Sequence, residues 1–265
     1  MEDRVTIRHD GPIAEVRLAR PDKLNALDPA MFAALVAAGE ALAASKARAV
    51  VLAGEGRGFC AGLDMASMAD VGGTAGAMGA GPITDRTHGD ANIWQAVAIQ
   101  WRRLPMPVIA AVHGVCLGGG LQIASGADIR VVAPDARLAV MEAKWGIVPD
   151  MAGFVTWRGL VRDDHLAELM WTAREFSGEE AVALGFATHA DADPLARARA
   201  IAEEIAARSP DATRAAKRML AHRHDRDAAA LLHAESEEQA ALLRTPNQME
   251  AVMAGMARRE PVFGD

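Results

Sequence analysis

At 265 residues, 51% hydrophobic and 24% charged, the chain is long enough to bury a sizeable core as one large domain with a smaller appendage, and too apolar for a disordered or fibrous protein. A net charge of −7, no tyrosine and no Lys/Arg-rich block argue against a nucleic-acid surface. Its two cysteines, Cys60 and Cys116, fall in no CxxC or Cys/His cluster, which argues against a disulfide framework and predicts no metal site.

The opening residues MEDRVTIRHD lack the basic, apolar and small-residue order of a secretory leader. No uninterrupted apolar run reaches about 18 residues. A soluble, cytoplasmic protein with no membrane partner is the expectation. Residues 4–8 and 13–18 alternate apolar with polar around the turn-forming His9-Asp10-Gly11-Pro12, predicting a hairpin. The stretch RPDKLNALD, 20–28, is irregular. Asp28 followed by Pro29 supplies an N-cap and a first-turn proline, and the helix that follows carries Met31, Leu35, Ala38 and Leu42 on one stripe. Residues 48–53 read as a buried strand closed by a glycine-rich turn. FCAGLD, 59–64, then sets small residues around one glycine before a helical start at Asp64.

Residues 71–82, VGGTAGAMGAGP, have the composition of a loop beside a site. A helix from 92 to 104 leads through two prolines to the apolar run Val108–Val112, a strand covered on both faces. Gly118, Gly119 and Gly120 follow, where a strand-to-helix turn leaves backbone N–H groups unpaired and open to a ligand oxygen. Residues 129–133 and 137–141 read as two more buried strands, with Glu142 at the end of the second. Beyond residue 163 the chain is mainly helical, with helices predicted over 195–207, 210–222, 226–243 and 246–258. Ser177 with Glu180, Ser209-Pro210 and Thr245-Pro246 supply their start signals. The apolar faces are too extensive for lone surface helices, so the tail is expected to pack on a neighbouring subunit as well as on its own core.

Strand, glycine-bearing turn and helix start occur twice. If the two units lie side by side, one N–H near Cys60 or Ala61 and one near Gly119 would converge on a single oxygen. That is an oxyanion hole for a carbonyl that becomes an enolate or a tetrahedral adduct. No GxSxG elbow, HExxH, phosphate loop or dinucleotide fingerprint accompanies it. Cys60 reads as a small buried residue rather than a nucleophile, and His113 as a packed or capped histidine. The acid–base candidates are Glu142 and Asp150. A carboxyl in a largely apolar site has its pKa raised and can exchange protons with a substrate carbon near neutral pH.

Four segments, RPDKLNALD (20–28), FCAGLD (59–64), HGVCLGGGLQIASGADI (113–129) and TAREFSGEEAVALGF (172–186), together resemble the crotonase superfamily, the enoyl-CoA hydratase and isomerase group, over nearly the whole chain. The resemblance implies an α/β fold, a crotonase-like spiral of ββα units over 1–195 that binds acyl-CoA. It also implies a helical C-terminal trimerisation region over 196–265, in a homotrimer or dimer of trimers. Coenzyme A would enter as part of the substrate, with no separate cofactor. The resemblance assigns the oxyanion hole to the N–H groups of Cys60 and Gly119, and thioester and pantetheine contacts to Lys23, Leu24, Ala26, Ala61, Gly62, Leu63, Asp64 and Gly118. Lys23, Arg57, Arg258 or Arg259 would reach phosphates. Hydratases of this group use two glutamates. Glu142 matches one, but the other position is Gln122, which can orient water yet cannot exchange a proton as a carboxylate does. The segment Glu142–Asp150 with ELMWTAR, 168–174, is more similar to dienoyl-CoA isomerases, which use a Glu and an Asp at this spacing. The sequence therefore favours an isomerase with Glu142, Asp150 and Gln122 as catalytic residues. A Gln122-assisted hydratase and a non-catalytic acyl-CoA-binding paralogue are the alternatives.

Overall fold

A computed structural model describes residues 4–64, 83–222, 233 and 237–264. The expected hairpin is β1 (Val5–Asp10) and β2 (Ile13–Leu18), paired antiparallel. Asp28 accepts a hydrogen bond from the Met31 N–H (2.8 Å) and starts α1 (Pro29–Ala43), whose Met31, Leu35, Ala38 and Leu42 are buried as the stripe predicts. Next come β3 (Ala49–Gly54), α2 (Ile93–Arg103), β4 (Val108–Val112), β5 (Val115–Leu117), α3 (Gly119–Ser125), β6 (Ile129–Val132) and β7 (Arg137–Ala139). After these follow α4 (Gly153–Thr156), α5 (Asp163–Thr172), β8 (Phe176–Ser177), α6 (Gly178–Leu184) and β9 (His189–Ala190). The described chain closes with α7 (Pro194–Ala206), α8 (Pro210–His222) and α9 (Pro246–Ala257). The loop predicted over 71–82 and the helical start after Asp64 lie outside the described residues, as does most of the helix predicted over 226–243.

One six-stranded sheet runs β1-β2-β3-β4-β6-β9, parallel from β2 onward. A second, three-stranded sheet runs β5-β7-β8. The chain alternates between them: β4 passes to β5, β6 to β7, and β3 to a single parallel bridge at Cys60, which pairs with Cys116 of β5. Strand, second-sheet strand and helix thus repeat as a spiral of ββα turns, the repeated unit expected from the sequence. Period-two geometry explains the unbroken apolar strands. Val50 and Leu52 of β3, with Val108, Ala110 and Val112 of β4, enter the main core with α1 and α2. Ala49, Val51, Ala53, Ile109 and Ala111 face the other way and meet Ala198, Ile201 and Ala202 of α7.

That second contact corrects the domain boundary expected at 195/196. Helix α7 is part of the spiral's own core, and so is the anchor of α8. There Lys217 is buried, pairs with Asp128 at 2.7 Å, and donates to the carbonyls of Trp101 (3.0 Å) and Met106 (2.8 Å). Helix α9 carries a run of exposed apolar side chains, Met249, Val252, Met253 and Met256. No helix among the described residues is long and apolar enough to cross a membrane.

Candidate active site

A cavity of about 710 Å³ opens where the two sheets meet. Its wall includes Ala61, Gly62, Leu63, Gly118 and Gly119 together with Glu142, Asp150 and Met151, with Trp94, Ile147 and Val148 among its apolar lining. The glycine triplet shapes this wall in three different ways. Gly118 sits at φ +50°, ψ −118°, a conformation that a side chain would strain, and a Cβ there would stand 3.6 Å from Glu142 Oε1. Gly119 opens α3, and its N–H is a first-turn donor that no hydrogen bond engages among the described residues. Gly120 lets the helix lie against the Cys60 carbonyl, which a Cβ would strike.

The second donor is not the expected one. The N–H of Cys60 is committed to the Val115 carbonyl at 3.0 Å, because Cys60 extends the second sheet, and the N–H of Ala61 is committed to the Leu24 carbonyl at 2.9 Å. The free donor of this segment is Leu63. It forms a parallel bridge with Leu27, in which Leu27 N–H bonds the Gly62 carbonyl (2.8 Å) and Asp64 N–H bonds the Leu27 carbonyl (3.0 Å). The parallel pattern leaves residue 63's own N–H on the opposite side of the strand. Leu63 lines the cavity, and its N–H has no partner among the described residues. Gly62 brings this segment against α3, where a Cβ on it would lie 3.6 Å from the Gly119 nitrogen. As the sequence suggested, Cys60 is no nucleophile: burial pushes its thiol up to about 12, and the thiol lies 3.1 Å from the Asn25 carbonyl. His113 bonds the Gly56 carbonyl through Nε2 at 2.9 Å, a capped histidine.

Of the remaining expected contacts, Ala61, Gly62, Leu63 and Gly118 line the cavity. Lys23, Leu24, Ala26 and Asp64 are not part of its described lining. Lys23 is exposed at the end of a 3-10 turn, Leu24 and Ala26 bond through their carbonyls to Ala61 N–H and Arg20, and Asp64 pairs with Arg20 at 2.6 Å. Asn25, which the sequence reading passed over, holds this layer together. It is fully buried at φ +55°, accepts from Arg20 N–H (2.8 Å), and donates to the carbonyls of Glu55 (2.9 Å), Gly58 (2.9 Å) and Phe59 (3.2 Å).

Glu142 does not end a strand. Strand β7 stops at Ala139, and Glu142 opens a 3-10 turn over Glu142–Trp145. Its side chain is 6% exposed, with Oε2 buried and without a hydrogen-bond partner. Burial raises its pKa; its own N–H, the Gln122 amide and the Met141 N–H oppose that in part, and the Asp150 charge adds to it. Burial likewise raises Asp150, so each carboxyl is held above its own ordinary value. Gln122 is absent from the described cavity wall: it lies 1% exposed behind Glu142, with both ends of its amide hydrogen-bonded. The sequence reading also missed Glu175, which lines the cavity while paired with Arg137 at 2.7 Å.

A spiral of ββα turns with two free backbone donors lining one cavity with a buried and a half-buried carboxyl defines a crotonase-type site for an acyl thioester. Comparison with known proteins agrees. The family model described as enoyl-CoA hydratase/isomerase matches residues 8–265, and the chain belongs to that family. The peroxisomal Delta(3,5)-Delta(2,4)-dienoyl-CoA isomerase of Arabidopsis thaliana is 30% identical over 96% of this chain and 93% of its own. The human mitochondrial dienoyl-CoA isomerase is 30% identical over 94% and 77%. A crystal structure of an enoyl-CoA hydratase from Polaromonas sp. JS666 superposes with a TM-score of 0.88 at 25% identity, covering 98% of this chain and 99% of that one. The protein is thus an enzyme of the enoyl-CoA isomerase and hydratase kind.

Proposed function

We propose that the enzyme isomerises an enoyl- or dienoyl-CoA. The observation that carries this reading is that Glu142 and Asp150 line one cavity together with Gly119 and Leu63, while Gln122 is withheld behind Glu142. The thioester oxygen accepts from the N–H groups of Leu63 and Gly119. One carboxyl, ionised, removes an α or vinylogous proton, and the electron pair moves into the conjugated system to make a dienolate whose negative oxygen the two N–H groups hold. The other carboxyl, protonated, gives its proton to a carbon further along, and the double bonds shift. Exchange with water then resets both acids. Raised pKa values suit this division, since one group must be neutral and one charged at the same pH. Metal and redox partners have no part in these steps, and coenzyme A arrives as part of the substrate.

Incubation with a 3,5-dienoyl-CoA is expected to develop the absorbance of a conjugated 2,4-dienoyl thioester, with crotonyl-CoA hydrated far more slowly. Faster loss of the enoyl absorbance from crotonyl-CoA would make the enzyme a hydratase instead, and binding without turnover of either would make it an acyl-CoA-binding protein. The exposed methionine face of α9 suits burial against other copies, in a cytoplasmic homotrimer or dimer of trimers. Light scattering on the purified protein is expected to give three or six times the 27.9 kDa chain mass; a monomer would remove that assignment.

A further inference from the structure

One side chain touches both halves of the acid–base machinery. The amide carbonyl of Gln122 accepts two backbone N–H groups, from Met151 at 2.9 Å and Gly153 at 3.0 Å. A carbonyl oxygen alone can accept from both, so the other end of the amide is the NH₂ group, and it donates to Glu142 Oε1 at 2.6 Å. The two N–H groups belong to the residues that follow Asp150 on the turn into α4. Gly153 is needed there because a Cβ would come within 2.9 Å of Gln122 Oε1 and 2.5 Å of the Trp157 ring. Gln122 sits on α3, whose first residue supplies the Gly119 donor. One rigid turn of helix is thus connected to the oxyanion donor, to Glu142 and to the Asp150 segment.

Resting on the isomerase reading above, we infer that Gln122 is the positioning residue that couples the two proton-carrying carboxyls: its carbonyl fixes the Asp150 segment, and its NH₂ fixes Oε1 and with it the orientation of the Glu142 carboxyl that exchanges protons. The other oxygen, Oε2, is buried without a partner. An NH₂ group can only donate, so the contact favours the ionised form of Glu142 and opposes its burial. A carboxyl at position 122 would behave differently. It would accept from Met151 and Gly153 as a carboxylate and then offer Glu142 either repulsion or a shared proton. Glutamine therefore lets Glu142 titrate as a single acid.

The other groups around Glu142 are Asp150, Lys144 and Glu175 in the cavity wall, the last paired with Arg137. Helix α5, which packs on the 3-10 turn, adds Asp163, Asp164, His165 and Glu168, whereas α3 carries no charged side chain. These groups are the same in the variants that follow, so a change in titration reports on position 122.

The test is a carbon-13 titration of the glutamate carboxyls, with the Glu142 resonance assigned by its loss in Glu142→Gln, alongside the pH profile of kcat. In Gln122→Met, which keeps the length and removes both hydrogen-bonding ends, Glu142 is expected to titrate about one pH unit or more above wild type, and one limb of the profile to move by the same amount. Gln122→Glu preserves the anchor to Met151 and Gly153, so it keeps the fold even if the methionine variant does not, and it is expected to raise the apparent value further and split it into two steps. KM should change less than kcat in both. A Glu142 titration within a few tenths of a unit of wild type in the two variants would overturn the inference. Wild-type enzyme that turns over no unsaturated thioester would instead remove the isomerase reading, and the carboxyl titration would still decide the role of Gln122.

Discussion

Glu142→Gln is expected to lower kcat on the isomerised thioester by about 10²–10⁴-fold, the range for loss of a positioned acid–base group, while leaving thioester affinity within a few-fold. The variant keeps the shape of the side chain and an oxygen to accept from Gln122, so what disappears is proton transfer by the carboxyl and little else. It should also gain stability. The folded pKa of Glu142 lies above its ordinary value of 4.5, so the folded protein holds that proton more tightly than the unfolded chain does. Wild type then loses stability as pH rises from the unfolded value through the raised folded one, and the loss is complete above it. Glutamine has no proton to lose. Thermal unfolding should show the variant ahead of wild type at neutral pH and the advantage vanishing below pH 4. Near wild-type turnover would remove Glu142 from the chemistry, and an advantage that persisted in acid would have to come from packing.

The sequence carried more of this site than its individual residues suggest. Apolar strands bounded by glycines, the Asp28-Pro29 and Ser177 caps and the stripe on α1 depend on local rules, and each appears where those rules place it. Glu142 opens a 3-10 turn instead of ending a strand, yet it and Asp150 line one cavity because the intervening loop is short. What failed was long-range. Whether Cys60 or Leu63 has a free N–H depends on which strand pairs with each, and only the bridge to Cys116 and the bridge to Leu27 decide it. Gln122 stands where a helix places it, but its amide is taken by Met151 and Gly153, about 30 residues away, and nothing near it in sequence reveals that. The 195/196 boundary failed for the same reason: α7 looks like its neighbours in composition, yet its alanines meet the back of β3 and β4.

Asn25→Ala should damage fold and catalysis together, although Asn25 lines no part of the cavity. Four hydrogen bonds end on this buried amide, and at about 1 kcal/mol each, with about 1 kcal/mol more for placing alanine at a positive φ, the loss comes to roughly 3–5 kcal/mol. Asn25→Gly separates the two causes: it loses the same hydrogen bonds without the backbone penalty, so it should be about 1 kcal/mol the more stable of the pair in urea unfolding. Catalysis suffers through Leu27. Asn25 ties the 20–28 segment to the Glu55–Phe59 turn, and Leu27 in turn holds Gly62 and Asp64 on either side of the Leu63 N–H. Once the segment loosens, one of the two donors proposed for the enolate oxygen is no longer preorganised, and an oxyanion donor is worth about 2.7–4 kcal/mol of barrier, roughly a hundredfold to a thousandfold in rate. The residual folded enzyme should therefore lose kcat more than KM at temperatures well below its melting point. Loss of stability with kcat intact would place the working donor elsewhere and return the 59–64 segment to a purely architectural role.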